Sequence, residues 1–211
     1  FLEPKTWAYA DSDQPAAKAL WARIKDYYAR ATRYAKLRLA LEVEEVHAAL
    51  KKGNLKALKA ALAEDHDDEA LDAIYWVGHC GTMLIGADSD DLDNLSNMAA
   101  MEAMLRRVYK SKKNYNYGLL ASSLGSAKAA LGPGLSGDLS SAKAEFETGI
   151  NVSKGKYLLP RFLFGRFYCT AVLKKDCFTK TMTDIINADP NAYNWKGKGK
   201  GKGKWKGQSW K

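Results

Sequence analysis

The sequence predicts an all-α protein, an irregular array of antiparallel helix pairs, and three observations carry that reading. Apolar residues recur at intervals of three and four in segment after segment, and almost nothing alternates as a strand would. Clusters of acids stand immediately before these periodic runs, where a helix start needs acceptors for its first N–H groups. The breaks fall at turn-forming stretches: GPG at 132–134, SGD at 136–138 and DPNAY at 189–193.

The first element is long. Trp21, Ile24, Tyr28, Ala31, Ala35 and Leu39 share one helical face, after a start signal in which Asp13 caps and Pro15 sits in the first turn. A second helix follows closely around Val43 to Leu50, and Asn54 caps another over Leu55 to Ala63. Asp65, Asp67, Asp68 and Glu69 precede a helix with Leu71, Ile74, Tyr75 and Gly78. Asp88, Asp90, Asp91 and Asp93 precede one with Met98, Met101, Leu105 and Val108. Later helices are marked by Leu119 to Ala130, by Leu139 to Gly149, by Leu159 to Thr170 and by Phe178 to Ile185, giving about eight or nine in all.

Two of these pairs have the order of a tetratricopeptide unit. In YCTAVLKKDCFTKTMTDIINADP (168–190) an aromatic helix, a Lys/Asp turn, an amphipathic helix and an Asp-Pro follow one another. In GDLSSAKAEFETGI (137–150), Ala142, Phe146 and Gly149 take the small, aromatic and small positions. The half before it is about five residues too long for a regular repeat of about 34, so the array is TPR-like and irregular.

The chain carries 33 Lys+Arg against 24 Asp+Glu, formally +9. Seven of those lysines lie in WKGKGKGKGKWKGQSWK, residues 195–211, which contains no acid. The rest holds 26 against 24, or +2. In this body Arg23, Arg30, Arg33, Lys36 and Arg38 read as balanced by Asp/Glu clusters nearby. The sequence therefore divides into a helical domain over 1–194 and a Lys/Gly/Trp-rich tail over 195–211, disordered or extended because Gly-Lys alternation buries no apolar area and repels itself. No apolar run approaches the roughly 18 residues of a membrane-spanning helix, and neither a signal peptide nor a lipoprotein cysteine stands near Phe1, so anchoring is not expected from these residues. Cys80, Cys169 and Cys177 make no disulfide framework and leave the compartment undecided.

No catalytic constellation is expected. His47, His66 and His79 form no HxxxH pair, and His79 and Cys80, adjacent on a helix, diverge by about 100° and cannot readily share a metal. The GHCG stretch (78–81) reads as a close helix crossing, because each glycine inside a helix costs about 1 kcal/mol against alanine. DSDDLD (88–93) fails as a calcium loop: position six is Asp93 where Gly is needed, and position twelve is Ala99 where Glu is needed. Capping accounts for its acids. Neither GxGxxG nor a phosphate loop occurs. The expectation is a non-enzyme with no cofactor and no metal.

Block order adds a resemblance. The stretch DHDDEALDAIYWVGHCGTMLIGADSDD, the helix ending LRRVY (105–109), NYNYGLLASSLGS, AKAEFETGINVSKGKYLLPRF and the closing D-x-F with Asp-Pro together resemble the TatT component of TRAP transporters, over roughly Trp21 to Tyr193. The resemblance implies a periplasmic or otherwise exported accessory protein without catalytic residues. It also implies a homo-oligomer that binds the solute-binding receptor or carries an apolar small molecule in a hydrophobic groove. Members of the family continue past the Asp-Pro turn into a further helix, whereas this chain runs into WKGKGKGK.

Stacked irregular helix pairs leave a concave face, and Tyr75, Trp76, Tyr115, Tyr117, Tyr157 and Arg161 are the candidates to line a ligand or partner groove on it. Large aromatics dominate ordinary helix packing, so the plainer reading of each is a core or interface aromatic. In the tail, Trp195, Lys198, Lys200, Lys202, Lys204, Trp205 and Trp210 combine charge with aromatic surface. That combination suits nucleic acid, an anionic membrane surface or an acidic groove on another protein. A periplasmic compartment disfavours nucleic acid. The alternative to a transport accessory is a structural subunit whose tail docks onto a neighbour in a larger assembly.

Overall fold

A computed structural model describes residues 14–88, 91–130 and 138–188, and among these the backbone is helical with no strand. Helix α1 is Gln14–Glu42, and α2, Glu44–Lys51, follows after the single break at Val43. The turn after α2 closes on Gly53, whose φ of +64° is a left-handed conformation open to glycine. Gly53 N–H then donates to Leu50 O and Asn54 N–H to Ala49 O. Asn54 at once caps α3, Leu55–Ala63, its Oδ1 accepting from Ala57 N at 2.9 Å. Asp67 does the same for α4, Asp68–Ala87, accepting from Ala70 N at 2.8 Å.

Asp88 and Asp91 act at helix ends. Asp91 caps the short helix α5, Leu92–Ser96, accepting from Asp93 N and Asn94 N, and Asp88 pairs with Lys25 at 2.6 Å. The single helix expected through Met98 is thus divided, and α6 runs Met98–Ser111. A 3₁₀ turn at Tyr115–Gly118 leads into α7, Leu119–Ala130; α8 is Leu139–Val152, capped by Asp138. Helix α9, Leu158–Leu163, does not continue as α-helix to Thr170 as its periodicity predicts: Phe164–Cys169 is π-helical. The wider turn accompanies a close approach, since a Cβ on Gly165 would lie 2.4 Å from Met182 Cε of α10, Lys175–Ile186.

Helix α1 packs chiefly along α4, α4 also meets α6 and α7, and α7 lies on α8. At 8 and 9 residues, α2 and α3 are too short to cover a helix of 29, which is why α1 finds its main cover further along the chain. The GHCG glycines stand where α4 meets α6: a Cβ on Gly78 would lie 3.0 Å from Leu105 Cγ and 3.2 Å from Met101 O, and one on Gly81 2.2 Å from Met101 Sδ. The core joins Leu39, Val46, Leu58, Ile74, Leu105 and Phe146 across these helices, each such side chain contributing roughly 1.5–3 kcal/mol when fully buried.

Two of the three cysteines pair. Cys169 and Cys177 form a disulfide, Cα to Cα 5.5 Å, which ties the end of the π-helical segment to the start of α10. Cys80 is free and buried. Cys177 stands eight positions after Cys169, and the tight turn at Leu173, with φ of +53°, brings the two together.

Candidate functional site

One face of α4 carries Asp72, Tyr75, Trp76 and His79, at the three-and-four spacing that stacks side chains along a helix. Tyr115 packs its ring edge against Tyr75, centroids 4.7 Å apart, and its hydroxyl donates to Asp72. Arg38 of α1 holds the other oxygen of Asp72 at 2.6 Å, and Lys112 stands 5.8 Å over the Tyr115 ring while pairing with Asp68 at 2.6 Å. The start of the 3₁₀ turn is therefore anchored to both α1 and α4 by a shared carboxylate.

His79 sits 2.8 Å from Ser123 Oγ through Nδ1, and Ser123 Oγ donates its only hydrogen to Leu119 O at 2.8 Å. The imidazole must then supply the proton to the serine oxygen, which assigns the neutral tautomer with hydrogen on Nδ1. Burial holds its pKa down to about 4. The same cause pushes the Cys80 thiol up to about 11 and raises Tyr75 well above the ordinary phenol range. Tyr75 is fully enclosed; its hydroxyl lies beside Asn116 and Ser123 without completing a well-aligned hydrogen bond to either, and the nearby Tyr157 phenol further disfavours its ionisation.

The next residues are in an unusual state. Asn116 (φ 49°, ψ 49°) and Tyr117 (φ 55°, ψ 34°) are both left-handed, and Gly118 follows at φ +86°. Two successive non-glycine residues in this region cost roughly 1–2 kcal/mol each, so surrounding packing must hold them. The result is a tyrosine turned outward, 45% exposed, with its ring 6.3 Å from that of Tyr157. Tyr157 follows another left-handed turn at Lys154 and Gly155, and the Arg161 guanidinium lies over it: a Cβ on Gly155 would fall 2.5 Å from Arg161 Nη2.

The structure thus sets Trp76 and Tyr115 against the buried Tyr75, and brings Tyr117, Tyr157 and Arg161 to two left-handed turns. Two clefts lie elsewhere. One of about 600 Å³ is acidic, lined by Glu42, Glu45, Glu64, Asp65 and Asp67 with His66. One of about 480 Å³ is mainly apolar, between Trp21, Ile85, Leu95 and Phe167, with Arg166 on its wall. The tail residues Trp195, Lys198, Lys200, Lys202, Lys204, Trp205 and Trp210 lie outside the described residues. Sequence reasoning missed the roles of Asp72, Asn116 and Ser123 and the left-handed turn; only the D-x-x-Y-W-x-x-H spacing on α4 could have drawn attention to the first.

Among the described residues the protein is all-α, with no strand. The family model described as the TRAP transporter T-component matches residues 2–195, and the chain belongs to that family. It is therefore an accessory component of a transporter of this kind. No curated protein matches the chain.

Proposed function

We propose that the protein is a non-enzymatic, extracytoplasmic T-component that holds its solute-binding receptor through Trp76, Tyr117 and Tyr157. The observation that carries this reading is the left-handed Asn116–Tyr117 pair, which keeps an aromatic ring half in solvent at a local energetic cost. Tyr157 packs edge-on against Tyr117, Arg161 stands at the neighbouring turn, and Trp76, on α4, is 37% exposed. The Cys169–Cys177 disulfide supports an oxidising compartment. The part-buried His79, its pKa held low, and the raised thiol of Cys80 suit structural roles better than acid–base or nucleophilic work. Titration of the receptor into the wild type and a Trp76→Ala/Tyr117→Ala variant tests the assignment. An affinity unchanged by the double substitution would overturn it.

The apolar cleft carries a second reading, that an apolar ligand is bound between Trp21, Ile85, Leu95 and Phe167. Uptake of an apolar fluorescent probe by wild type, and its loss in Leu95→Trp, which fills the cleft, tests it. The tail is the proposed docking extension of the alternative structural-subunit role, since it holds seven of the 33 basic residues. Removing 195–211 is expected to weaken partner capture without changing helical content.

A further inference from the structure

Helix α1 has a second face that the core does not use. Its buried residues, Ala17, Ile24, Thr32, Ala35 and Leu39, hold it against the body. On the far side, Arg23, Tyr27, Arg30, Tyr34, Leu37 and Leu41 are all exposed, Leu41 by 87%. Their spacings are four, three, four, three and four, so they form one straight line, about 27 Å long at 1.5 Å per residue. The line is internally organised. Arg23 Nη2 donates to Tyr27 Oη at 3.4 Å, and Arg33, beside the line, stands 5.3 Å over the ring of Tyr34.

The charge of this helix is one-sided. Gln14–Glu42 contains seven Lys and Arg against Asp26 and Glu42, a net +5. The acids that reach it balance only two of its cations: Asp88 pairs with Lys25, and Asp72 and Glu42 pair with Arg38. Lys18, Arg30, Arg33 and Lys36 make no ion pair among the described residues, and Arg23 bonds only the neutral Tyr27.

We infer that this face of α1 lies on an anionic membrane surface, with Arg23, Arg30 and, on its flank, Arg33 on lipid phosphates and Tyr27, Tyr34, Leu37 and Leu41 at the interface. Charge complementarity selects the occupant: two helices of +5 repel, which disfavours a second copy of this chain, while guanidinium groups chelate phosphate oxygens well. Shape agrees. The line is a ridge on the outer side of a helix, and none of its six residues lines either of the two clefts described. A straight ridge can touch a plane along its whole length, whereas a helix from another protein would want a groove. Tyrosine suits the boundary because its ring is apolar and its hydroxyl wet.

The test is co-sedimentation of the full chain with phosphatidylcholine vesicles containing about a third phosphatidylglycerol, beside pure phosphatidylcholine, at physiological salt. The wild type should prefer the anionic vesicles. Arg23→Glu/Arg30→Glu/Arg33→Glu should lower that partitioning at least about tenfold. Leu37→Ser/Leu41→Ser should lower it severalfold while keeping its dependence on salt. Circular dichroism checks that these surface variants keep the wild-type fold. Because the tail is intact in every variant, partitioning equal to wild type would place the binding in the tail and overturn the proposal. So would a wild type indifferent to lipid charge. Unchanged vesicle binding with lost capture of an acidic protein would assign the ridge to a protein partner instead.

Discussion

Gly118 and Gly149 meet backbone against backbone: a Cβ on Gly118 would fall 2.2 Å from the Gly149 carbonyl oxygen, and one on Gly149 2.6 Å from that of Gly118. This contact locks the end of the left-handed turn onto α8, so the exposed ring of Tyr117 is held by a feature that no side chain supplies. Gly149→Ala is expected to destabilise the protein by about 1–3 kcal/mol, even though alanine is favoured in a helix by roughly 1 kcal/mol. Urea unfolding reads it. A variant as stable as wild type would show that the helices can separate at this point without loss.

Tyr117 and Tyr115 should respond differently to truncation. Tyr117→Gly removes an exposed ring and relieves a left-handed backbone, so stability should change by less than about 1 kcal/mol while receptor affinity falls. Tyr115→Ala deletes the bond to Asp72 and the edge contact on Tyr75, and should cost about 2–3 kcal/mol. Equal losses in the two variants would mean that the turn stores no strain.

His79 makes stability depend on pH. Unfolded, it takes a proton near pH 6.5; folded, only near 4. Between those values the unfolded chain binds more protons, so stability is full above about pH 6.5, declines as pH falls toward 4 and levels off below. The loss is at most about 3 kcal/mol, and smaller to the extent that the part-exposed ring meets solvent. His79→Phe should flatten this interval of the pH–stability curve, measured by denaturant midpoint.

The disulfide closes a short loop. Replacing Cys169 and Cys177 with serine should lower stability by about 2–3 kcal/mol, mostly by freeing the unfolded chain. A reductant should bring the wild type to the same thermal midpoint as the variant, and a wild type insensitive to reductant would mean that the bond is not formed in solution.

An Asp-rich linker followed by an apolar stripe at three-and-four spacing can only be a capped helix, because the acids satisfy the first N–H groups and the stripe needs one buried face. That physics is local, and it placed α1 through α4, the cap at Asn54, the acidic clusters that contain the caps Asp67 and Asp91, and the glycine crossing at Gly78 and Gly81. The family was legible too, in the order of its blocks. What the line of residues could not carry was anything set by distant neighbours. The left-handed state of Tyr117 follows from the contact of Gly118 with Gly149, 31 positions away. The pairing of Cys169 with Cys177 needs the turn at Leu173, and the π-helical stretch accompanies the approach of Met182 on Gly165. Whether Tyr75 is core and Tyr117 surface, or whether Arg30 has an acid within reach, is decided by which helices lie side by side, since burial and ion pairing are properties of neighbours in space.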